Sequence, residues 1–369
     1  MSMLKVLLVV TSLLTAYLAS QQSWLFLVGL TIGLFCAYEE FMRLKIRKFH
    51  RKKTVGKLES QLRSLPYSES EFNKQYKTVM GSQKQRSTRF ERKETIRSPL
   101  INYTDGVRKT SFVQSHQVTG PKIRLFGGST IDCQEVPDDY TIASQLQKLI
   151  NVSSTFLNGY EVINYGVSGA TLNANYNHFK QVEIFKNDIC IFFFGANETV
   201  FPKEFFRTRS PISFVPKLRQ TRDFLWRLNL LSLGRIFDNF MTFDRNHPLI
   251  DKKVTCVEKI FASINLRCRS ERANFIAILQ PLLHTRVPLT QFDVAISYYF
   301  PKRNWEAPLF LFEKFENRFK TESYFFDGRK IFNQTELNVY LDWVHTNYLG
   351  NEIIANYFYS IIQQQMLRG

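Results

Sequence analysis

Apolar residues are distributed along this chain in three textures. The first is a run from Val6 to Tyr38 without a charged residue, bounded by Lys5 and by Glu39-Glu40. As a single helix it would be about 50 Å long, against a hydrocarbon core of ~30 Å. The polar group Ser20-Gln21-Gln22-Ser23 divides it into Val6–Ala19 and Trp24–Tyr38. The pattern predicts N-terminal transmembrane helices, arranged as a hairpin over residues 1–40. A cleaved leader followed by one span competes with it, although no good small-x-small site precedes Gln21. A hairpin buried in a soluble protein is the third reading.

The second texture, residues 41–120, is polar and basic, and reads as a linker or membrane-proximal segment. Leu58, Leu62 and Leu65 have the spacing of a short amphipathic helix lying on a membrane. The stretch from Gly81 to Thr95 holds too little apolar matter to fold alone and reads as a solvated tether. The net charge of +17 first suggests a nucleic-acid partner. Yet nineteen Lys/Arg against six Asp/Glu fall between Phe41 and Gly120. A basic segment beside an apolar one points to a membrane surface rather than to nucleic acid. Arg43, Lys45, Arg47, Lys48, Arg51, Lys52 and Lys53 follow the second apolar half, and such clusters stay cytoplasmic. The expectation is a multi-pass protein of a bacterial inner membrane, with everything after the hairpin in the cytoplasm.

The third texture begins at residue 121. Five short apolar runs read as strands: Ile123–Phe126, Glu161–Asn164, Ile189–Phe194, Phe275–Leu279 and Tyr324–Phe326. Stretches with helical spacing separate them, such as Ile142, Leu146, Leu149 and Ile150. Near-continuous apolar strands alternating with helices imply an α/β domain, 121–369, with a parallel sheet covered on both faces. The interval 201–273 is too long for one crossover helix, so inserted helices are expected around Trp226 to Phe237. A second insertion, 282–322, starts with a segment rich in Pro and aromatics that is placed to cover a site. It ends in an amphipathic helix, Trp305–Lys320.

Cysteine and histidine narrow the chemistry little. Cys36, Cys133, Cys190, Cys256 and Cys268 show no metal-ligand spacing; Cys190 and Cys36 read as buried thiols, and a Cys256–Cys268 pair is left open. His178, His247 and His284 lack carboxylate partners at ligand spacing, so neither a metal nor another cofactor is expected. His284 follows a strand end and is a possible pocket residue. Arg124 and Arg286 are possible contacts for an anionic substrate.

The chemistry gathers at strand ends, where ligands bind in such sheets. Gly127-Gly128-Ser129 follows the first strand. Glycines there permit a sharp turn, and the serine is equally well explained as a helix cap. The segment lacks the Lys-Ser/Thr pair of a phosphate loop. Asp342-Trp343-Val344-His345, near the C-terminus, supplies a carboxylate and an imidazole; a carboxylate on one ring nitrogen leaves the other able to take a serine proton. Gly169 and Asn197 can offer a backbone N–H and an amide to an oxyanion, together with the Ser129 backbone N–H. Asn197-Glu198-Thr199 is also a glycosylation sequon, which a pocket position and a cytoplasmic setting both disfavour.

Taken together, four blocks resemble the SGNH (GDSL-type) hydrolase family over roughly residues 121–365. They are Gly127-Gly128-Ser129, Asn164-Tyr165-Gly166-Val167-Ser168-Gly169, Gly195-Ala196-Asn197-Glu198 and Asp342-Trp343-Val344-His345. The resemblance implies a flavodoxin-like three-layer sandwich with Ser129 as nucleophile, His345 as base and Asp342 orienting it. Ser129, Gly169 and Asn197 would form the oxyanion hole. Two positions depart from the family pattern: Gly128 replaces the usual Asp, and Glu198 replaces the Asp after the third-block Asn. The leading expectation is a membrane-anchored serine esterase or O-acyltransferase acting on an acylated glycan or lipid. A non-catalytic glycan-binding or assembly subunit with the same fold is the alternative, and a tethered nucleic-acid binder ranks below both.

Overall fold

Three consecutive phenylalanines, Phe192, Phe193 and Phe194, show how the core is built. They lie on a strand whose six residues are all buried, and successive side chains on a strand point to opposite faces. The computed structural model describes Gly33 and residues 95–153, 159–199, 206–208, 241–297 and 303–367. The apolar run expected to form a membrane hairpin therefore lies outside the described residues, Gly33 apart. Among the described residues no helix is long and apolar enough to cross a membrane.

In chain order the strands are β1 (Tyr103–Thr104), β2 (Val107–Arg108), β3 (Lys122–Gly127), β4 (Glu161–Gly166), β5 (Ile189–Phe194), β6 (Phe206–Thr208), β7 (Met241–Phe243), β8 (Asn274–Leu279) and β9 (Phe325–Asp327). The helices are α1 (Ser129–Asp132), α2 (Ile142–Val152), α3 (Leu172–Phe179), α4 (Pro248–Ser270), α5 (Gln291–Ser297), α6 (Arg303–Phe319) and α7 (Tyr348–Met366). The main sheet has the order β1-β2-β4-β3-β5-β8-β9. From β4 to β9 neighbouring strands pair in parallel. In that part the strands, numbered by their sequence, run 2-1-3-4-5, the order of a flavodoxin-like doubly wound sheet.

Helices cover both faces. On one side Phe193 meets Phe358 of α7 with ring centroids 5.2 Å apart, and α2 packs against α7. Helix α2 buries Ile142, Leu146 and Ile150, and α7 buries Ile354, Phe358, Ile361 and Ile362, the i, i+4, i+7 stripe of a core-facing helix. On the other side Phe192 meets Phe179 of α3. Phe194 there meets Phe261 of α4 and Phe315 of α6. Each such ring, fully buried, contributes about 1.5–3 kcal/mol relative to an exposed one.

By its contacts the chain forms two units. One comprises Met1–Pro66, Phe206–Phe243 and Tyr298–Arg303, and the other the remainder. In the first, β6 and β7 pair antiparallel, Phe206 opposite Phe243. The inserted helices expected around Trp226 to Phe237 lie outside the described residues. In the second unit the stretch before β8 is one regular crossover helix, α4, of 23 residues.

The main sheet extends into the segment read as linker. β2 pairs antiparallel with β4, Arg108 opposite Asn164, and β1 pairs with β2. The Arg108 side chain is wholly buried, with Nε 2.8 Å from Asp138 Oδ1. It also donates to the Val136 carbonyl and the Tyr103 hydroxyl. A buried guanidinium needs this many partners, because an unpaired one would lose its hydration uncompensated.

Three sequence readings change. Arg124 is not a substrate contact: it is buried, 2.9 Å from Asp188, and donates to the Tyr165 hydroxyl. Arg286 is likewise buried against Asp293 at 2.8 Å. Cys256 and Cys268 lie on the same helix twelve residues apart, about 18 Å of rise, too far for a disulfide. Cys268 is instead buried beside Cys190 of β5.

Candidate active site

Register brings the first three blocks together. Gly127, the last residue of β3, lies opposite Gly166 of β4 and Phe193 of β5. The segments that follow these residues therefore leave the sheet at one level. They are tied to one another: Val167 donates its N–H to the Gly127 carbonyl at 3.0 Å. Gly166 has to be glycine, because a Cβ there would lie 2.3 Å from the Asp132 nitrogen.

Ser129 opens α1, but the capping position is Gly128. The serine hydroxyl is therefore not spent on the helix end, and its Oγ lies 2.7 Å from His345 Nε2. His345 Nδ1 lies 2.6 Å from Asp342 Oδ2. Asp342 builds its own loop as well: its Oδ1 accepts the backbone N–H groups of Val344 and His345, both at 2.7 Å. With Nδ1 protonated toward the carboxylate, Nε2 is left to accept from the serine. The loop is closed by the hydrogen bond from Leu341 N–H to the His345 carbonyl. Asn347 caps α7 behind it.

Burial disfavours the charged imidazole, yet the Asp342 hydrogen bond and the charges of Glu135 and Asp342 outweigh it. The His345 pKa lies above its ordinary value. For Asp342, burial acts upward but is overcome by the His345 hydrogen bond and charge and by the two backbone donors. Its pKa is lowered.

Gly169 and Asn197 stand at the neighbouring turns. Gly169 has φ +79°, the left-handed region that favours glycine, and a Cβ there would touch nothing within 4 Å. Conformation rather than space calls for glycine at this turn. Asn197 donates one amide proton to the Ala170 carbonyl at 2.7 Å, which leaves its second N–H for another acceptor. Glu198 is buried, and its two oxygens accept Leu172 N–H at 2.5 Å and Gly195 N–H at 2.6 Å. It braces the third-block turn to the start of α3. Burial raises its pKa despite those donors.

The remaining sequence candidates sit elsewhere. His178 packs edge-on to Tyr165 and Phe126, and burial lowers its pKa. His247 caps α4 through Nδ1. His284 lies in the turn after β8, where the adjoining Leu283 donates to the Trp343 carbonyl. Among the described residues no group of three His, Cys, Asp or Glu is placed to hold a metal ion.

Two carboxylates absent from the sequence reading border the site. Asp132, on α1, accepts the Ser168 N–H at 3.1 Å and the Tyr103 hydroxyl at 2.7 Å. Glu135 Oε1 lies 3.7 Å from His345 Nε2. The only trace of Asp132 in the sequence is its place three residues after Ser129, one helical turn on; Glu135 leaves none.

No family model and no curated protein matches the chain. Several solved structures do. Acetyl xylan esterase AlAXEase aligns at 14% identity and TM-score 0.35, over 65% of this chain and 98% of its own. Axe2, an acetylxylan esterase from Geobacillus stearothermophilus, aligns at 16% and 0.37, over 66% and 94%. LAE5, an alpha/beta hydrolase enzyme from the metagenome of Lake Arreo, Spain, aligns at 15% and 0.36, over 66% and 94%. Likenesses this distant leave the chemistry to be read from the site itself.

Proposed function

We propose that this chain is a serine esterase or O-acyltransferase of the SGNH type. The observation that carries the reading is the continuous relay from Ser129 Oγ through His345 to Asp342, with spacings of 2.7 and 2.6 Å. A serine from one part of the sequence and an Asp/His pair about 200 residues later meet in the order that nucleophilic acyl transfer requires. Ser129 Oγ attacks the ester carbonyl while its proton passes to His345 Nε2. The leaving alkoxide takes that proton as its C–O bond breaks. Water or a sugar hydroxyl then gives a proton to Nε2 and attacks the acyl-enzyme, and Ser129 Oγ departs with the proton returned.

The developing oxyanion is served by the Ser129 and Gly169 backbone N–H groups and the second amide proton of Asn197. Such a donor is worth roughly 3 kcal/mol in the transition state. The two departures that motivated a non-catalytic subunit both have local reasons: Gly128 leaves room for Asn197, and Glu198 braces two turns. Neither touches the relay.

The proposed substrate is an ester-linked acyl group on a glycan or lipid near a membrane: the resemblance of the Gly127-Gly128-Ser129-Thr130 block suggests the class, and the apolar run and basic segment at the N-terminus suggest the place. The same segments support a membrane anchor with the catalytic unit on the cytoplasmic side. Labelling with a serine-reactive phosphonate tests the chemistry: the wild type is expected to react and Ser129→Ala to remain unlabelled. Equal labelling of the two would remove the assignment.

A further inference from the structure

His345 lies between two carboxylates, one beside each ring nitrogen. Asp342 holds Nδ1. Glu135, in the segment that follows α1, places Oε1 3.7 Å from Nε2, the nitrogen that faces Ser129 Oγ. Its side chain is one-quarter exposed, so it borders the site and is not sealed in the core. Burial pushes the Glu135 carboxyl above its ordinary value; the charge of His345 acts downward, and those of Asp132 on α1 and Asp342 on the histidine's own loop act upward. The charges acting on His345 are those of Glu135 and Asp342. Among the described residues whose charges act on Glu135, only His345 carries positive charge, and only when protonated.

We infer that Glu135 is a positioning residue for the acyl transfer proposed above, holding the imidazolium while its Nε2 proton waits for the leaving oxygen. The inference rests on that reading of the site. When Ser129 Oγ bonds to the acyl carbon, its proton moves to Nε2 and His345 becomes a cation. Asp342 steadies that cation from behind, and Glu135 steadies it at the edge where the proton must leave. The same attraction acts before substrate arrives, so Glu135 also keeps a larger share of His345 protonated in the free enzyme. Its two effects therefore have opposite signs: transition-state help on the plateau, and loss of competent base in acid.

Glu135→Gln keeps size and polarity and removes the charge. In the full chain, kcat/KM for p-nitrophenyl acetate is expected to show its acid limb at lower pH in the variant, with a reduced plateau. Glu135→Asp, which retains a charge set one methylene back, should fall between them. A residue that only fills space would lower the rate without moving the limb. NMR titration of the His345 ring, assigned by its loss in His345→Asn, gives a readout independent of turnover. A lower His345 pKa in Glu135→Gln supports the inference, and an unchanged one overturns it. If the wild type neither hydrolyses the ester nor takes the phosphonate, the acyl-transfer reading fails, and the role of Glu135 in it falls too. An NMR shift in that case would show only the charge contact.

Discussion

Asn197 occupies the space that a side chain on residue 128 would need. A Cβ built on Gly128 would lie 2.3 Å from Asn197 Nδ2, well inside van der Waals contact. The missing side chain at one turn is thus what seats the amide at the next. Gly128→Ala is expected to displace Asn197 and lower kcat with little change in KM or thermal midpoint. Asn197→Ala removes the donor outright, and about 10²–10³-fold should be lost from kcat. If Gly128→Ala had full activity, Asn197 would not be an oxyanion donor in its present position.

In the proposed mechanism the pH dependence of activity follows from His345. A general base must be neutral to accept the serine proton, and this pKa is held above its ordinary value. Activity should rise with pH along a limb displaced above the imidazole value of about 6.5. A pH series of kcat/KM measures it, and a limb at or below the ordinary value would contradict the arrangement.

Stability runs the other way on that side. A histidine whose folded pKa is raised adds stability that is fully present below its unfolded pKa and is lost as pH rises through the folded one. Asp342, lowered, adds stability present above the carboxylate value of ~3.9 and lost as pH falls through its folded pKa. The pair therefore stabilises most between those limits, while activity gains toward the alkaline end. Denaturant midpoints of the wild type and His345→Gln, compared at pH 5 and pH 9, should differ more at the lower pH.

The strands were legible because both faces of the sheet are covered, so β5 and β8 are nearly all apolar and the run Ile123–Phe126 of β3 is broken only at Arg124. Asp342 and His345 were legible because their spacing is local. β1 and β2 were not: each has two residues, and each includes a polar one, Thr104 or Arg108. Hydropathy also reads Arg108 as surface, and its burial depends on partners that hydropathy does not register: Asp138, the Val136 carbonyl and the Tyr103 hydroxyl. Glu135 stayed hidden for the same reason, since its meaning comes from a histidine 210 positions later. For Ser129 the sequence allowed a cap or a nucleophile, and the structure puts Gly128 at the cap, so the proposed nucleophile is not engaged there.

Asp342→Asn separates charge and tautomer from loop structure. An asparagine Oδ1 can still accept the Val344 and His345 N–H groups, so the loop should persist and the thermal midpoint change little. Its amide would donate toward Nδ1 and force the ring into the wrong tautomer. A kcat loss of about 10⁴-fold is the expected scale. A loss of less than tenfold would mean that His345 does not depend on this carboxylate.

The last prediction concerns Arg108, which links the segment before residue 121 to the site. Its partner Tyr103 donates to Asp132, which in turn holds the Ser168 N–H beside Gly169. Arg108→Met leaves Asp138 buried without its cation, a change that costs about 3–5 kcal/mol in comparable pairs. Among the described residues the Asp138 carboxylate would keep only Asn102 as a donor, through the side-chain amide at 2.7 Å and the backbone N–H at 3.1 Å. Pairing the substitution with Asp138→Leu removes the orphaned charge and should recover part of the stability in a denaturant titration. Activity should recover less, because the Tyr103 hydroxyl would still lack the guanidinium that orients it toward Asp132. Full recovery of kcat in the double variant would show that the network supports the fold alone and has no hold on the Ser168–Gly169 turn.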